Sequence, residues 1–159
     1  MDQKGAQILS HLRNDARKNL STIGRELNIP VSTIHDKVRR FESGVVKRFT
    51  AILDLDKLGL NNVYLAMSCS SHHKENLRNF LNNHPQVNTL HSLTRGYDFL
   101  AEFVFGHVRE LDNFVVSLKQ FNLGNIEEFM TQEEIKKESY VPKSKIVSSS
   151  STEIVRSFE

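Results

Sequence analysis

Val31-Ser32-Thr33-Ile34-His35-Asp36-Lys37-Val38-Arg39-Arg40-Phe41-Glu42-Ser43 is the stretch on which the reading of this 159-residue chain turns. Val31, Ile34, Val38 and Phe41 stand three, four and three apart, so at 100° per residue they gather on one side of a helix predicted over about 31–43. Those four are expected in the core. The opposite side collects Ser32, Thr33, Asp36 and Arg40, with His35 and Arg39 on its flank. These residue types can read base edges: Arg bonds guanine in a bidentate fork, Asp accepts from cytosine, and Ser and Thr reach bases or phosphates. An ordinary solvated face, with Asp36 and Arg40 paired at i, i+4, accounts for the same pattern.

Working back from there, Asn28 tolerates a left-handed backbone and Ile29-Pro30 interrupts the preceding helix, redirecting the chain. That helix is predicted at about 21–27, opened by Ser21 and carrying Ile23 and Leu27 on its core side. Gly24 sits inside it despite a propensity cost of up to about 1 kcal/mol, as expected where another segment crosses closely. A first helix from Gln7 to roughly Arg17 follows from the spacing of Ile8, Leu9, Leu12 and Ala16. The three together form a helix-turn-helix. Beyond it, Gly44-Val45-Val46 ends the third helix, and Lys47 and Arg48 beside alternating Phe49, Ala51 and Leu53 predict a β-wing or linker strand next to a phosphate backbone. Arg39, Lys47 and Arg48 are candidate phosphate contacts, as are Ser21 and Thr22 at a helix N-terminus.

Charge supports a division of labour. Residues 1–50 carry ten Lys+Arg against five Asp+Glu, whereas residues 51–159 carry eleven against fourteen, so a net charge of +2 conceals a basic end and an acidic remainder. A basic end suits a polyanion such as double-stranded DNA. No run approaches the roughly 18–20 apolar residues of a membrane span, and Met1 to Gly5 lacks the basic-then-apolar pattern of a secretory leader, so a cytoplasmic protein is expected. The single cysteine, Cys69, is read as a small buried hydrophobe. Histidines 72, 73, 84, 91 and 107 show no ligand spacing, and neither a phosphate-cradling glycine loop nor a nucleophile elbow is present. The expectation is a non-enzyme with no metal and no cofactor.

The rest of the chain alternates between strand and helix patterns. Asn62–Ser70 has period two; Lys74–Asn83 places Leu77, Phe80 and Leu81 on one helical face before His84-Pro85. Val87–Thr94 and Asp98–Phe105 read as a hairpin around Arg95-Gly96-Tyr97. Val108–Phe121 is helical through Leu111, Phe114, Val115, Leu118 and Phe121, and after a turn at Leu123-Gly124-Asn125 a last strand is expected from Ile126 to about Tyr140. This βαββαβ order gives a four-stranded antiparallel sheet with both helices on one face, and a second subunit is expected to cover the other. Within it, the turn Thr94-Arg95-Gly96-Tyr97-Asp98 is the candidate small-ligand site. Gly96 allows close approach there, and Arg95 and Asp98 offer both charges an amino acid needs, although an ordinary hairpin turn has the same composition. From Pro142 the chain is polar, with a serine run at Ser148–Ser151 that suggests a flexible end or a modification site and Ile154-Val155 that leaves docking open.

The ordered series Ile8-Leu9, Asp15-Ala16-Arg17, Ser21, Ile23-Gly24, Leu27-Asn28, Ser32-Thr33-Ile34, Val38-Arg39-Arg40-Phe41-Glu42 and Gly44-Val45-Val46, continued by Leu58-Gly59 and Tyr97-Asp98-Phe99-Leu100, resembles the Lrp/AsnC family of transcription regulators. The resemblance implies an α+β chain: a winged helix-turn-helix DNA-binding domain at 1–50, a linker at 51–60, and a βαββαβ ferredoxin-like domain at 61–141 that dimerises and binds an amino acid or related effector. The polar tail is 142–159. Departures lie at Pro30 and Asn28, where the family has serine and glycine, and at Arg95, which stands where the family places a glycine three residues before the aspartate. The implied assembly is a homodimer or higher oligomer, with recognition helices one turn of DNA apart on a pseudo-palindromic site. Two rival readings stand beside it: a siroheme-type tetrapyrrole decarboxylase of the same architecture, and a stand-alone metabolite sensor acting through protein contacts.

Overall fold

Asp2 opens the first helix by accepting the Gly5 N–H at 2.9 Å, so α1 spans Gln3–Asn14 rather than starting at Gln7 and running to Arg17. The early start follows from this cap, because Asp at the N-cap satisfies a donor that would otherwise be unpaired. These coordinates belong to a computed structural model that describes residues 1–141; the serine run Ser148–Ser151 and Ile154-Val155 lie outside the described residues. Two compact units divide the chain: Met1–Ala51 together with the segment beginning at Lys136, and Ile52–Ile135.

The first unit holds α1, α2 (Leu20–Leu27) and α3 (Val31–Glu42). Asn19, not Ser21, caps α2: its side-chain oxygen accepts from the Ser21 N–H at 2.9 Å and the Ser21 hydroxyl at 2.8 Å. Asn28 ends α2 with φ 53°, in the left-handed region that Asn tolerates. Ile8, Leu12, Ile23, Ile29, Ile34, Val38 and Phe41 form its core. Val31 does not join them: the sequence expects it inside, yet it is 44% exposed. It is the first residue of α3, at the end of the stripe that buries Ile34, Val38 and Phe41. The Arg13 side chain donates to the carbonyl oxygens of Tyr140 (3.0 Å) and Glu138 (2.7 Å) and to the Glu138 carboxylate, so residues beyond Lys136 are bonded to α1.

The wing predicted after α3 is not a strand. Residues 46–54 carry no regular structure, and Phe49, Ile52 and Leu53 remain exposed. Alternation alone cannot make a strand, which needs a ladder partner, and among the described residues none pairs with this segment.

In the second unit β1 (Asn61–Cys69), α4 (Lys74–Asn83), β2 (Val87–Ser92), β3 (Phe99–Phe105), α5 (Val108–Leu118) and β4 (Leu123–Met130) build an antiparallel sheet in the order β2-β3-β1-β4. Val63, Leu65, Met67, Phe99, Ala101, Phe103 and Phe105 point from the sheet toward Leu77, Leu81, Leu111, Phe114 and Leu118 of the helices. Phe103 and Phe114 stack at 4.1 Å between centroids. Cys69 is half-buried against this core, and burial pushes its thiol pKa up. His84 ends α4 among Phe80, Phe103 and Phe114, and burial lowers its pKa. The last strand begins and ends earlier than expected. Its length is set by β1: Met130 pairs with Val63, the Thr131 N–H reaches the Asn62 carbonyl, and there β1 runs out. The turn before it is made by Asn122 at φ 49°.

On the sheet face away from the helices stand Tyr64, Ala66, Leu100, Val104 and the exposed Phe129, by alternation along their strands. Amid them Glu102 is only 2% exposed, its carboxylate accepting from Asn62 Nδ2 (3.1 Å), Asn88 Nδ2 (2.8 Å) and Thr89 Oγ1 (2.6 Å). Burial of a carboxylate is costly unless it is hydrogen-bonded in this way.

Candidate functional site

The outer side of α3 is assembled as its spacing requires. Ser32, His35, Asp36, Arg39 and Arg40 are exposed and Thr33 is half-buried. Among the described residues no ion pair joins Asp36 to Arg40, so the pairing that the alternative reading needed is not made, and both charges face outward. Beneath them Lys37 reaches down to the Asp2 carboxylate at 2.8 Å, and that ammonium above all lowers the Asp2 pKa, fixing the start of α1 against the middle of α3. Close packing of α2 against the turn rests on Gly24: a Cβ there would lie 2.8 Å from the Ile29 carbonyl oxygen. Ser21 is exposed with its hydroxyl turned to Asn19, and Thr22 is half-buried, receiving the Arg25 guanidinium at 3.3 Å. Lys47 and Arg48 are exposed just past α3. The first unit thus carries a helix with outward arginines and, at the start of α2, exposed or half-buried hydroxyls, residue types that contact base edges and phosphates.

The turn Thr94–Asp98 has a different character from the one expected. Thr94, Arg95 and Gly96 are exposed, with Arg95 at φ 69° and Gly96 at φ 89°. Arg95 therefore adopts the left-handed conformation that a glycine holds without cost. Asp98 is committed within the fold: its carboxylate accepts from Lys74 Nζ at 2.6 Å and from the Cys69 N–H at 3.0 Å, while its own N–H donates to the Met67 carbonyl at 2.8 Å. The Lys74 ammonium, then the Cys69 N–H, hold its pKa below the ordinary carboxylate value. Its carboxylate is thus engaged at both oxygens, contrary to the expectation that it faces a ligand's ammonium. Tyr97 is half-buried and its phenol donates to Glu127, which raises the phenol pKa. Sequence reasoning missed Lys74, Glu127 and the Cys69 N–H; all three come from β1, α4 and β4, and only strand register brings them to the turn.

No family model matches the chain. The HTH-type transcriptional regulator FL11 of Pyrococcus horikoshii is 28% identical over 117 residues, covering 72% of this chain and 78% of that protein. Among solved structures, a transcriptional regulator of Neisseria meningitidis in complex with L-Met superposes with a TM-score of 0.80 at 19% identity, covering 89% of this chain and 96% of that one. An AsnC family transcriptional regulator of Agrobacterium tumefaciens gives 0.78 at 18% identity, covering 89% and 97%. The structures establish the fold. The chain is thus similar in sequence to HTH-type transcriptional regulators and shares its fold with AsnC/Lrp regulators of known structure. In that shared fold the first unit is the helix-turn-helix and the second the ferredoxin-like sheet. The relatives matched here carry the names of transcriptional regulators. No helix among the described residues is long and apolar enough to cross a membrane.

Proposed function

We propose that this protein is a transcription regulator of the Lrp/AsnC type that acts in the cytoplasm as a homodimer, or a higher oligomer of dimers, whose two α3 helices enter successive major grooves of a pseudo-palindromic duplex. In this reading residues 1–50 bind DNA, 51–60 link, and 61–141 dimerise and bind effector. Ser32, Thr33, Asp36 and Arg40 face base edges, with His35 at the side. Arg39, Lys47, Arg48, Ser21 and Thr22 lie along phosphates. The observation that carries it is the outward side of α3, where Asp36, Arg39 and Arg40 stand exposed over a buried aliphatic stripe. Exposed Phe129 beside Tyr64, Leu100 and Val104 on the sheet face away from the helices supports pairing with a second copy, because contiguous apolar surface is what subunit contacts cover.

For the effector, the reading is an amino acid at the Thr94–Asp98 turn, the ligand class that the Neisseria meningitidis structure contains. Since Asp98 is engaged by Lys74 and Cys69, and Tyr97 by Glu127, these two hold the turn in shape, and Thr94, Arg95 and Gly96 present its ligand-facing backbone. The role is regulatory rather than catalytic.

Selection of bound fragments from a random duplex pool, with and without amino acids, tests this reading directly. Arg40→Ala is expected to weaken the selected duplex by about 1–3 kcal/mol per half-site while sparing random DNA. Lys47→Ala should weaken every duplex alike and lower the slope of log affinity against log salt by about one per protomer. Equal losses on selected and random duplex for Arg40→Ala would remove Arg40 from base reading, and failure to enrich any sequence would overturn the regulator reading.

A further inference from the structure

We propose that an apolar concavity between α2 and the start of α3 is the docking site of residues 153–158 of the same chain, and that this segment and DNA exclude one another. The exclusion rests on the DNA-binding reading above; the docking does not. Gly24, Ile29, Pro30 and Val31 line the concavity with mainly apolar surface, and Ser21 and Arg25 line it as well. Ile34, Val38 and Phe41 of the same helical stripe are 8% exposed or less, whereas Val31 turns 44% of its surface outward. Gly24 brings no side chain to fill the space, and none can be added, since a Cβ there would lie 2.8 Å from the Ile29 carbonyl oxygen. Apolar surface left in water gains by being covered. A duplex presents chiefly phosphate, sugar and polar base edges, so this wall suits an aliphatic protein segment better.

The chain itself supplies one within reach. Arg13 of α1 holds the carbonyls of Glu138 and Tyr140, so the polypeptide returns to the helix-turn-helix unit before the described residues end at Val141. Ile154 lies 13 residues further on, followed by Val155 and Phe158, apolar residues in a stretch otherwise polar from Ser148 onward. That length spans up to roughly 43 Å, against roughly 25–30 Å across a compact unit of this size, so the concavity lies within range. Glu153 adjoins Ile154 and offers a carboxylate to Arg25, which is exposed and joins no ion pair among the described residues. Tethering gives the segment a local concentration on the order of millimolar, so contact through a few side chains is enough to fill the site. Ser21 is both a lining residue and a candidate phosphate contact, which is why occupation of the concavity opposes a duplex.

The test compares the full chain with two full-length variants, Ile154→Ser combined with Val155→Ser, and Phe158→Ser. Methyl nuclear magnetic resonance spectra are recorded over a range of protein concentration, and affinity is measured on the duplex recovered by selection. In both variants the Val31 methyl signals are expected to move from their wild-type positions by an amount that dilution does not change. Both should bind the selected duplex more tightly, the double variant by about threefold or more. Val31 signals that are the same in wild type and both variants would overturn the docking, whatever the DNA result. A difference that fades on dilution would assign the segment to a second copy and overturn the same-chain assignment. Signals that move while duplex affinity stays constant would overturn the exclusion. If wild type enriches no sequence, the regulator reading and the exclusion fall together, and the methyl comparison still decides the docking.

Discussion

Asp98 ties the β2–β3 turn to β1 and α4, and its replacement should show how much that costs. In Asp98→Ala the Cys69 N–H loses an acceptor at 3.0 Å and the Lys74 ammonium loses one at 2.6 Å, while the backbone bonds from Asp98 N–H to Met67 and from Leu93 N–H to Asp98 remain. Losing a hydrogen bond to a charged group, with the half-buried N–H left unpaired, costs about 1.5–3 kcal/mol. Lys74 is about half exposed, so its share is the smaller, under about 1 kcal/mol. The expected loss is about 2–3 kcal/mol for Asp98→Ala, about 1 for Asp98→Asn, which still accepts from Cys69, and under about 1 for Lys74→Met. Urea unfolding followed by far-ultraviolet circular dichroism gives the totals, and hydrogen exchange at the Cys69 amide gives the local effect. The pH dependence has a definite sign. Because the folded carboxyl titrates below its unfolded value of about 3.9, its contribution is complete above that value and is lost as pH falls through the folded one, so wild type and Asp98→Asn should converge in acid. An Asp98→Ala protein within about 0.5 kcal/mol of wild type at pH 7, or a gap that does not narrow on acidification, would refute this account.

Arg95→Gly should stabilise the protein by about 0.5–1 kcal/mol in the same urea assay, because a left-handed backbone at φ 69° costs an L side chain about 1–2 kcal/mol and glycine recovers most of it. Gly24→Ala should destabilise the helix-turn-helix by about 1–3 kcal/mol, since the added carbon meets a backbone oxygen at 2.8 Å that no rotamer change can move; thermal melting reads the loss, and specific DNA affinity should fall with it.

The helices of the first unit were legible because their apolar stripes are regular: Ile8 with Leu12, Ile23 with Leu27, Ile34 with Val38 and Phe41. Their starts were not, because Asp2 and Asn19 cap from positions outside the stripe, and a stripe carries no information about its own ends. Val31 fits the spacing of the core yet lies outside it, for a period describes direction around an axis and not depth along it. In the second unit the alternation of Val63, Leu65 and Met67 announced β1, whereas the limits of β4 depended on how far β1 runs beside it. The candidate turn was visible in composition through Gly96. What occupies Asp98 was not, since Lys74 and the Cys69 amide lie 24 and 29 residues away in sequence. The wing failed for a related reason: Phe49, Ala51 and Leu53 alternate, but pairing is a property of two segments, not one.

The bonds from Arg13 to Glu138 and Tyr140 bear on how this regulator can be cut into pieces. A fragment stopping near Ala51 keeps all three helices but leaves that guanidinium without its carbonyl acceptors, and a chain truncated at Ile135 does the same from the other end. The helix-turn-helix unit thus draws on segments that come before and after the sheet domain in sequence, and footprinting or crystallisation trials on an isolated N-terminal piece would study a subtly different object from the one the whole polypeptide makes.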